Sequence, residues 1–344
     1  MKSAKLQLDS VRTSRIGSYG KKLFKPLNLK INYFNIKKLT GVVWRIFRFF
    51  LLVGLGFILL YPLLYMITIS IRPVHEIYDP SVVWIPKHFT MNNFQTVWKA
   101  MDYPAPLYNT LSICIVSALI QVITCAVVGY GFARFKFKGK NILFALLIFT
   151  IIIPPSTLAI PTMVQFKNFD FFGINWLIGK ITGGPTSMNI LNTRFVFYVP
   201  SLLGMGLKSG LFIYVYNQFF RGLPKELEDS ALIDGCGAFR TFTSIMMPNA
   251  KPVLLTVLLF SIVWHWNDFF YSSMYLDQQP TVATALAGLS QSLGKIRGLN
   301  IYDPYELVTR MQAGSLIAIL PLLLMYIFLQ KYFTESIERT GIVG

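Results

Sequence analysis

Six apolar stretches, at about residues 49–71, 108–132, 141–163, 195–220, 253–275 and 313–332, constrain this 344-residue chain more than any other feature. Each is close to the roughly 20 residues a helix needs to cross a bilayer. Lipid offers backbone N–H and C=O groups no partner, so apolar segments of this length satisfy them internally as helix. The sequence therefore predicts an all-α, polytopic membrane protein with six transmembrane helices. Composition agrees, since 54% of residues are apolar, only 14% are charged and mean hydropathy is +0.53. The fourth stretch is interrupted by Gly204, Gly206, Lys208 and Gly210, which predicts a kink or break. Pro62, Pro154, Pro155 and Pro321 lie within spans one, three and six and are read as packing kinks.

The basic residues set the expected orientation. With a cytoplasmic N-terminus, the inner segments 1–48, 133–140, 220–251 and 331–344 carry 22 Lys/Arg in 102 residues. The outer segments 72–107, 164–194 and 276–312 carry 9 in 104. The positive-inside rule then places both termini in the cytoplasm. The net charge is +17, and twelve of the basic residues precede the first span, ten of them in a basic arm, residues 1–43, suited to anionic inner-leaflet lipid rather than to nucleic acid, since no recognition fold accompanies it.

Other chemistries find little support. Cys114 and Cys125 fall on one helix about 16 Å apart, beyond disulfide reach, and Cys236 lies in a polar loop. Three histidines, His75, His88 and His265, show no metal-binding spacing, so no metal site is expected. Convergent catalytic groups are absent from the pattern, which argues against an enzyme. An ion-coupled secondary transporter is the alternative, but the spans offer little beyond Lys208 and Asp268 to bind a coupling ion.

The polar loop between spans four and five is the most informative segment. Pro224 suits a first helical turn, and Glu226, Glu228 and Asp229 sit near the positive end of the helix dipole. Gly235 and Gly237 permit a left-handed exit. A second short helix is predicted over 238–247, with Phe239, Phe242 and Met246 on one face before Pro248. In this loop Asp229-Ser230-Ala231, then Gly235 after three residues, then Ile245-Met246-Met247-Pro248 after nine more, resembles the E-A-A…G…I-x-L-P signature of inner-membrane permeases of binding-protein-dependent ATP-binding-cassette importers.

That resemblance implies a type I importer permease domain over residues 44–332, with a cytoplasmic coupling loop at 221–251 and a cytoplasmic tail at 333–344. It implies that Glu226, Glu228, Asp229, Ser230, Ala231, Asp234, Gly235 and Pro248 contact a separate ATPase. ATP and Mg²⁺ would be bound there and not by this chain, which has no GxxxxGK[ST] loop. The implied partners are a sister permease in a heterodimer, two ATPase subunits or domains and an extracellular solute-binding protein.

Further elements are similar to the carbohydrate-uptake branch, in order: Ser70-Ile-Arg72-Pro73 with Glu76, Trp84-Ile-Pro86, Asn93-Phe94, Trp264-His-Trp266-Asn267-Asp268, and Leu329-Gln-Lys331-Tyr-Phe333. The substrate implied is a sugar or oligosaccharide. Asp268 is the one acid within a predicted span. At i, i+4 from Trp264 it would share a helix face with that ring, which nominates Trp264, Trp266, Asn267 and Asp268 for the translocation pathway. The competing reading gives Asp268 to helix packing, bonded to a neighbouring hydroxyl or the Asn267 amide.

Overall fold

The computed structural model describes residues 33–82, 84–296 and 303–341. Most of the basic arm and the last three residues lie outside that set. The described residues are helical, and a single isolated bridge, Phe169 to Met188, is the nearest approach to sheet among them.

The chain divides into two bodies, residues up to Leu63 and residues from Leu64 onward. The first is the N-terminal part of α1 (Tyr33–Ser70), which begins about ten residues before the expected boundary at 44. Its apolar side chains are exposed from Val42 to Leu60.

The second body is built around α3 (Pro104–Arg134), which starts with proline in its first turn and ends on a basic residue. One face of α3 is fully covered, with Cys114, Ala118, Gln121 and Cys125 repeating at i, i+4, i+7 and i+11. Ile115, Leu119, Ile123 and Val127 lie on another face and are about half exposed. A row of large apolar side chains left bare in this way is a surface for lipid or another protein, not for water. Around α3 pack α7 (Phe195–Leu202), α8 (Ser209–Gly222) and α12 (Lys251–Trp266). Gly129 sets the closest approach, since a Cβ there would stand 2.5 Å from the Tyr216 Cβ and 3.0 Å from the Ile213 carbonyl oxygen.

Among the described residues, three helical segments are long and apolar enough to cross a membrane: Thr40–Ser70, Pro104–Arg134 and Pro304–Phe328. The other expected spans are not single straight helices. Span three is not a kinked helix but two, α4 (Lys140–Ile152) and α5 (Pro155–Lys167), bent by 104°. Pro154 and Pro155 supply no N–H, and a residue before proline is steered out of the α region, as Ile153 is at φ −61°, ψ 126°. Span four breaks as expected between α7 and α8, where Gly204 (φ 71°) and Lys208 (φ 61°) both take the left-handed conformation.

Span five ends at Trp266, and a separate short helix, α13 (Phe270–Tyr275), follows. The segment between α5 and α7 holds α6 (Ile174–Thr182), bracketed by left-handed Gly173 and Gly183. Two short helices, α14 (Val282–Ala287) and α15 (Leu289–Gly294), precede α16 (Pro304–Gly341), and α2 (Asn92–Ala100) packs against α15 and α16. Because α16 stays helical to Gly341, most of the tail expected from 333 continues the last helix.

Candidate functional site

The loop after α8 folds as two short helical pieces at one end of the second body. α9 (Glu226–Ile233) starts two residues after Pro224, which stands outside the helix rather than in its first turn. Lys225 flanks the start, and its carbonyl accepts from the N–H groups of Glu228 (2.9 Å) and Asp229 (3.0 Å). α9 closes in a Schellman arrangement: the Cys236 N–H donates to the Ala231 carbonyl at 2.9 Å and the Gly235 N–H to the Leu232 carbonyl at 3.1 Å. Gly235 takes φ 76°, the left-handed value such a turn needs. Gly237 does not share that role; it is extended (φ −71°, ψ 164°) and precedes α10 (Ala238–Thr241).

A π-helical turn at Phe242–Met246 and α11 (Met247–Asn249) lead from α10 into α12 with a bend of 78°. The wider turn changes the expected face. Phe242 and Met246 are buried, but Phe239 is 80% exposed and does not join them.

This element is fastened to the end of α3 by polar contacts that apolar periodicity gives no sign of. The Tyr130 hydroxyl donates to Glu228 Oε1 at 2.8 Å, and Arg134 Nη2 donates to the Leu223 carbonyl at 2.7 Å. Arg134 Nε stands 3.3 Å from Glu228 Oε2, an ion pair by distance without an aligned hydrogen bond. Beneath them Tyr130 meets Phe220 (5.4 Å between ring centres) and Phe242 (5.0 Å), so one aromatic cluster joins α3, α8 and the π turn. Glu228 thus faces inward, whereas Glu226, Asp229, Ser230 and Asp234 do not: Ser230 Oγ caps the Glu226 carbonyl (2.7 Å), and Ala231 is wholly covered. Pro248 sits within α11. Leu232 and Ile233 at the C-terminus of α9 are exposed, as is Phe239 across the Gly235 turn, and these three apolar tips were not singled out from the sequence.

The second group of predicted residues does not form one helix face. Because α12 stops at Trp266, Trp264 and Asp268 are not i, i+4 neighbours on a helix. Asp268 instead serves the start of α13, accepting from the N–H of Tyr271 (3.2 Å) and Ser272 (2.9 Å) and from the Ser272 hydroxyl (2.9 Å). Trp266 is buried, its indole donating to the Ala318 carbonyl at 3.2 Å, and the exposed Asn267 amide returns to the Val263 carbonyl at 2.9 Å. Trp264 packs on Phe212 and Phe260, with Lys208 Nζ 5.7 Å from its ring centre.

One polar residue that the sequence reading passed over holds the break in span four. Gln121, fully buried, donates to the Leu207 carbonyl (2.9 Å) and Ser209 Oγ (3.0 Å) and accepts from Ser261 Oγ (2.5 Å). Gly206 makes room for it, because a Cβ there would lie 2.7 Å from the Gln121 amide nitrogen. The same amide thereby joins α3, α8 and α12.

Residues 125–339 match the family model described as the inner membrane component of binding-protein-dependent transport systems. This chain belongs to that family. Among curated relatives it is 29% identical to the protein LplC of Bacillus subtilis (strain 168), over 89% of this chain and 96% of that one. It is 28% identical to the arabinooligosaccharides transport system permease protein AraQ of Halalkalibacterium halodurans, over 84% and 93%. Among solved structures, a bacterial ABC transporter involved in import of the acidic polysaccharide alginate has a chain that superposes with a TM-score of 0.64 at 19% identity. That match covers 86% of this chain and 98% of the other, and shows the fold. The chain is accordingly an importer permease, a membrane transport component and not an enzyme.

Proposed function

We propose that this permease carries a sugar or oligosaccharide, pairing with a sister permease and taking its power stroke from a separate ATPase at residues 221–251. Relatives named for arabinooligosaccharides and for melibiose, raffinose and stachyose support the substrate class. The observation that carries the coupling role is the anchorage of α9 to α3 through Tyr130, Arg134 and Glu228. A push on α9 is delivered to α3, the helix around which α7, α8 and α12 pack, rather than dissipated in a loose loop. Glu226, Asp229, Ser230, Asp234 and the apolar tips Ile233 and Phe239 face outward, where a partner would grip them, while Ala231, Gly235 and Pro248 shape the backbone.

In this reading α1, α3, α4 with α5, α7 with α8, α12 with α13, and α16 count as six spans of a type I permease with both termini cytoplasmic. ATP and Mg²⁺ stay on the ATPase, and a solute-binding protein delivers the sugar to the outer loops. The basic arm meets anionic lipid. Lys208 and Trp264 form the best-placed aromatic and cationic pair for a passing sugar, with Asn267 and Trp266 close by in sequence and Asp268 holding the break behind them.

The test is uptake of radiolabelled oligosaccharides into liposomes holding the full complex with its binding protein. Strict dependence on internal ATP supports the proposal; accumulation driven by an ion gradient without ATP refutes it. A reporter fused after Gly344 and found outside the cell would overturn the topology.

A further inference from the structure

The structure brings together two of the chain's three histidines, although they are 13 positions apart and their spacing gave no metal motif. His75 and Glu76 lie in the 3₁₀ turn Val74–Tyr78, and His88 approaches from the following loop. Their ligand-capable atoms all fall within 4.8 Å of one another. The frame around them is ordered from two sides. Asn93 Nδ2 donates to the carbonyls of Ser70 (2.8 Å) and Arg72 (2.9 Å), and the Tyr78 hydroxyl donates to Asp303.

Within that frame the Glu76 carboxylate is buried, fixed by the Lys87 N–H on Oε2 (3.0 Å) and by His88 Nδ1 on Oε1 (2.5 Å). Lys87 Nζ is drawn off to Asp79 at 2.6 Å. His75 and His88 are exposed, so a metal ion has a path in.

We propose that His75, Glu76 and His88 form a binding site for a late first-row divalent cation of the zinc class. Two imidazoles and one carboxylate are a donor set that zinc takes with one position open, whereas calcium and magnesium prefer all-oxygen sites. Tetrahedral zinc with bonds near 2.0–2.1 Å puts its ligand atoms about 3.3 Å apart. The cluster would reach that by rotation of the two exposed rings about the fixed carboxylate, the His88 nitrogen moving away from its 2.5 Å approach to Oε1. The bound ion would staple the turn after α1 to the segment entering α2. This inference does not depend on the transported substrate or on the ATPase.

The experiment uses the full chain, purified in detergent through a histidine-free tag and stripped with chelator, with Co²⁺ and Zn²⁺ as probes. Expected are one Co²⁺ per chain with the visible absorption of a four- or five-coordinate ion, its displacement by one Zn²⁺, and a rise in the thermal midpoint with Zn²⁺. His75→Gln and His88→Gln each weaken Zn²⁺ binding by about tenfold or more. His75→Gln leaves the metal-free midpoint in place, because that ring is exposed, and Cys236→Ser leaves binding unchanged. The proposal is overturned if no stoichiometric Co²⁺ spectrum develops, or if the double histidine variant binds Zn²⁺ as tightly as the parent.

Discussion

Substitution at Gly235 separates backbone strain from partner docking. Gly235 has φ 76°, and a Cβ placed on it meets nothing within 4 Å, so space in this chain is not limiting. Any side chain other than asparagine or aspartate pays roughly 1–2 kcal/mol for the left-handed conformation. The two Schellman bonds of the turn contribute roughly 0.5–1.5 kcal/mol each, enough to hold it narrowly against that strain. Gly235→Ala and Gly235→Glu should therefore cost the isolated permease about the same stability, and Gly235→Asn less. In the assembled transporter the outcomes diverge. Beside the exposed Ile233 and Phe239, glutamate adds bulk and charge to the proposed docking surface, so it should abolish ATPase co-purification and uptake, while Gly235→Ala retains a measurable share of both. The assay is paired: thermal unfolding of the permease in detergent, and ATP-driven uptake by the reconstituted complex. Equal uptake by the alanine and glutamate variants would refute the docking argument, since only their common strain would then matter.

Further outcomes follow from the geometry. Gly129→Ala gains about 1 kcal/mol of helix propensity but drives a methyl against the Tyr216 Cβ and the backbone of α8, so a net loss of about 1–2 kcal/mol is expected in detergent unfolding. A neutral or stabilised variant would contradict the close packing of α3 on α8. Asp268→Asn keeps one oxygen acceptor for the start of α13 but loses the second, so the thermal midpoint should fall while substrate preference stays fixed; a changed preference at unchanged stability would return Asp268 to the pathway.

Acid should loosen the 74–91 segment. Burial pushes the Glu76 carboxyl up, but the His88 side chain and Lys87 N–H outweigh it and hold the group below its usual range. Lys87 and then Ser81 hold Asp79 well below. Folded values below unfolded ones stabilise above the ordinary carboxylate range near pH 4 and lose that contribution as pH falls through the folded values. Amide hydrogen exchange of this segment, corrected for the intrinsic rate, should thus rise only below about pH 4, and a rise between about pH 5 and 7 would implicate a histidine instead.

Apolar run length and the coupling-loop spacing carried most of the architecture, because hydrocarbon solvent leaves helix as the only local option and a Gly-closed turn needs its glycine at a fixed offset. What escaped was decided by backbone events that run length averages away. The Pro154-Pro155 pair was visible, yet one proline bends a helix and only the pair, with Ile153 forced extended, turns the chain by 104°. Span five has no proline at its break. There the Asp268 carboxylate does the work, gathering the first free N–H groups of a new helix, and a hydropathy window counts that acid as a blemish in one long span.

The polar contacts that give the site its rigidity share this property. Tyr130, Arg134 and Glu228 are 98 or fewer positions apart, and Gln121 reaches Ser261 across 140. Each looks like an ordinary helix residue until the helices are packed. In a bilayer such bonds contribute only about 0.6 kcal/mol each on average, so the three made by Gln121 matter less as stabilisation than as registration. They fix the broken stretch 203–208 against α3 and α12 at the level of Lys208 and Trp264, while the Tyr130–Glu228 bond fixes α9 against the far end of the same α3. Both fastenings thus lie on one helix, the route the proposed coupling would take from α9 to the span-four break. Coupling carried this way predicts that weakening either fastening uncouples ATP hydrolysis from uptake, without altering the solute preference.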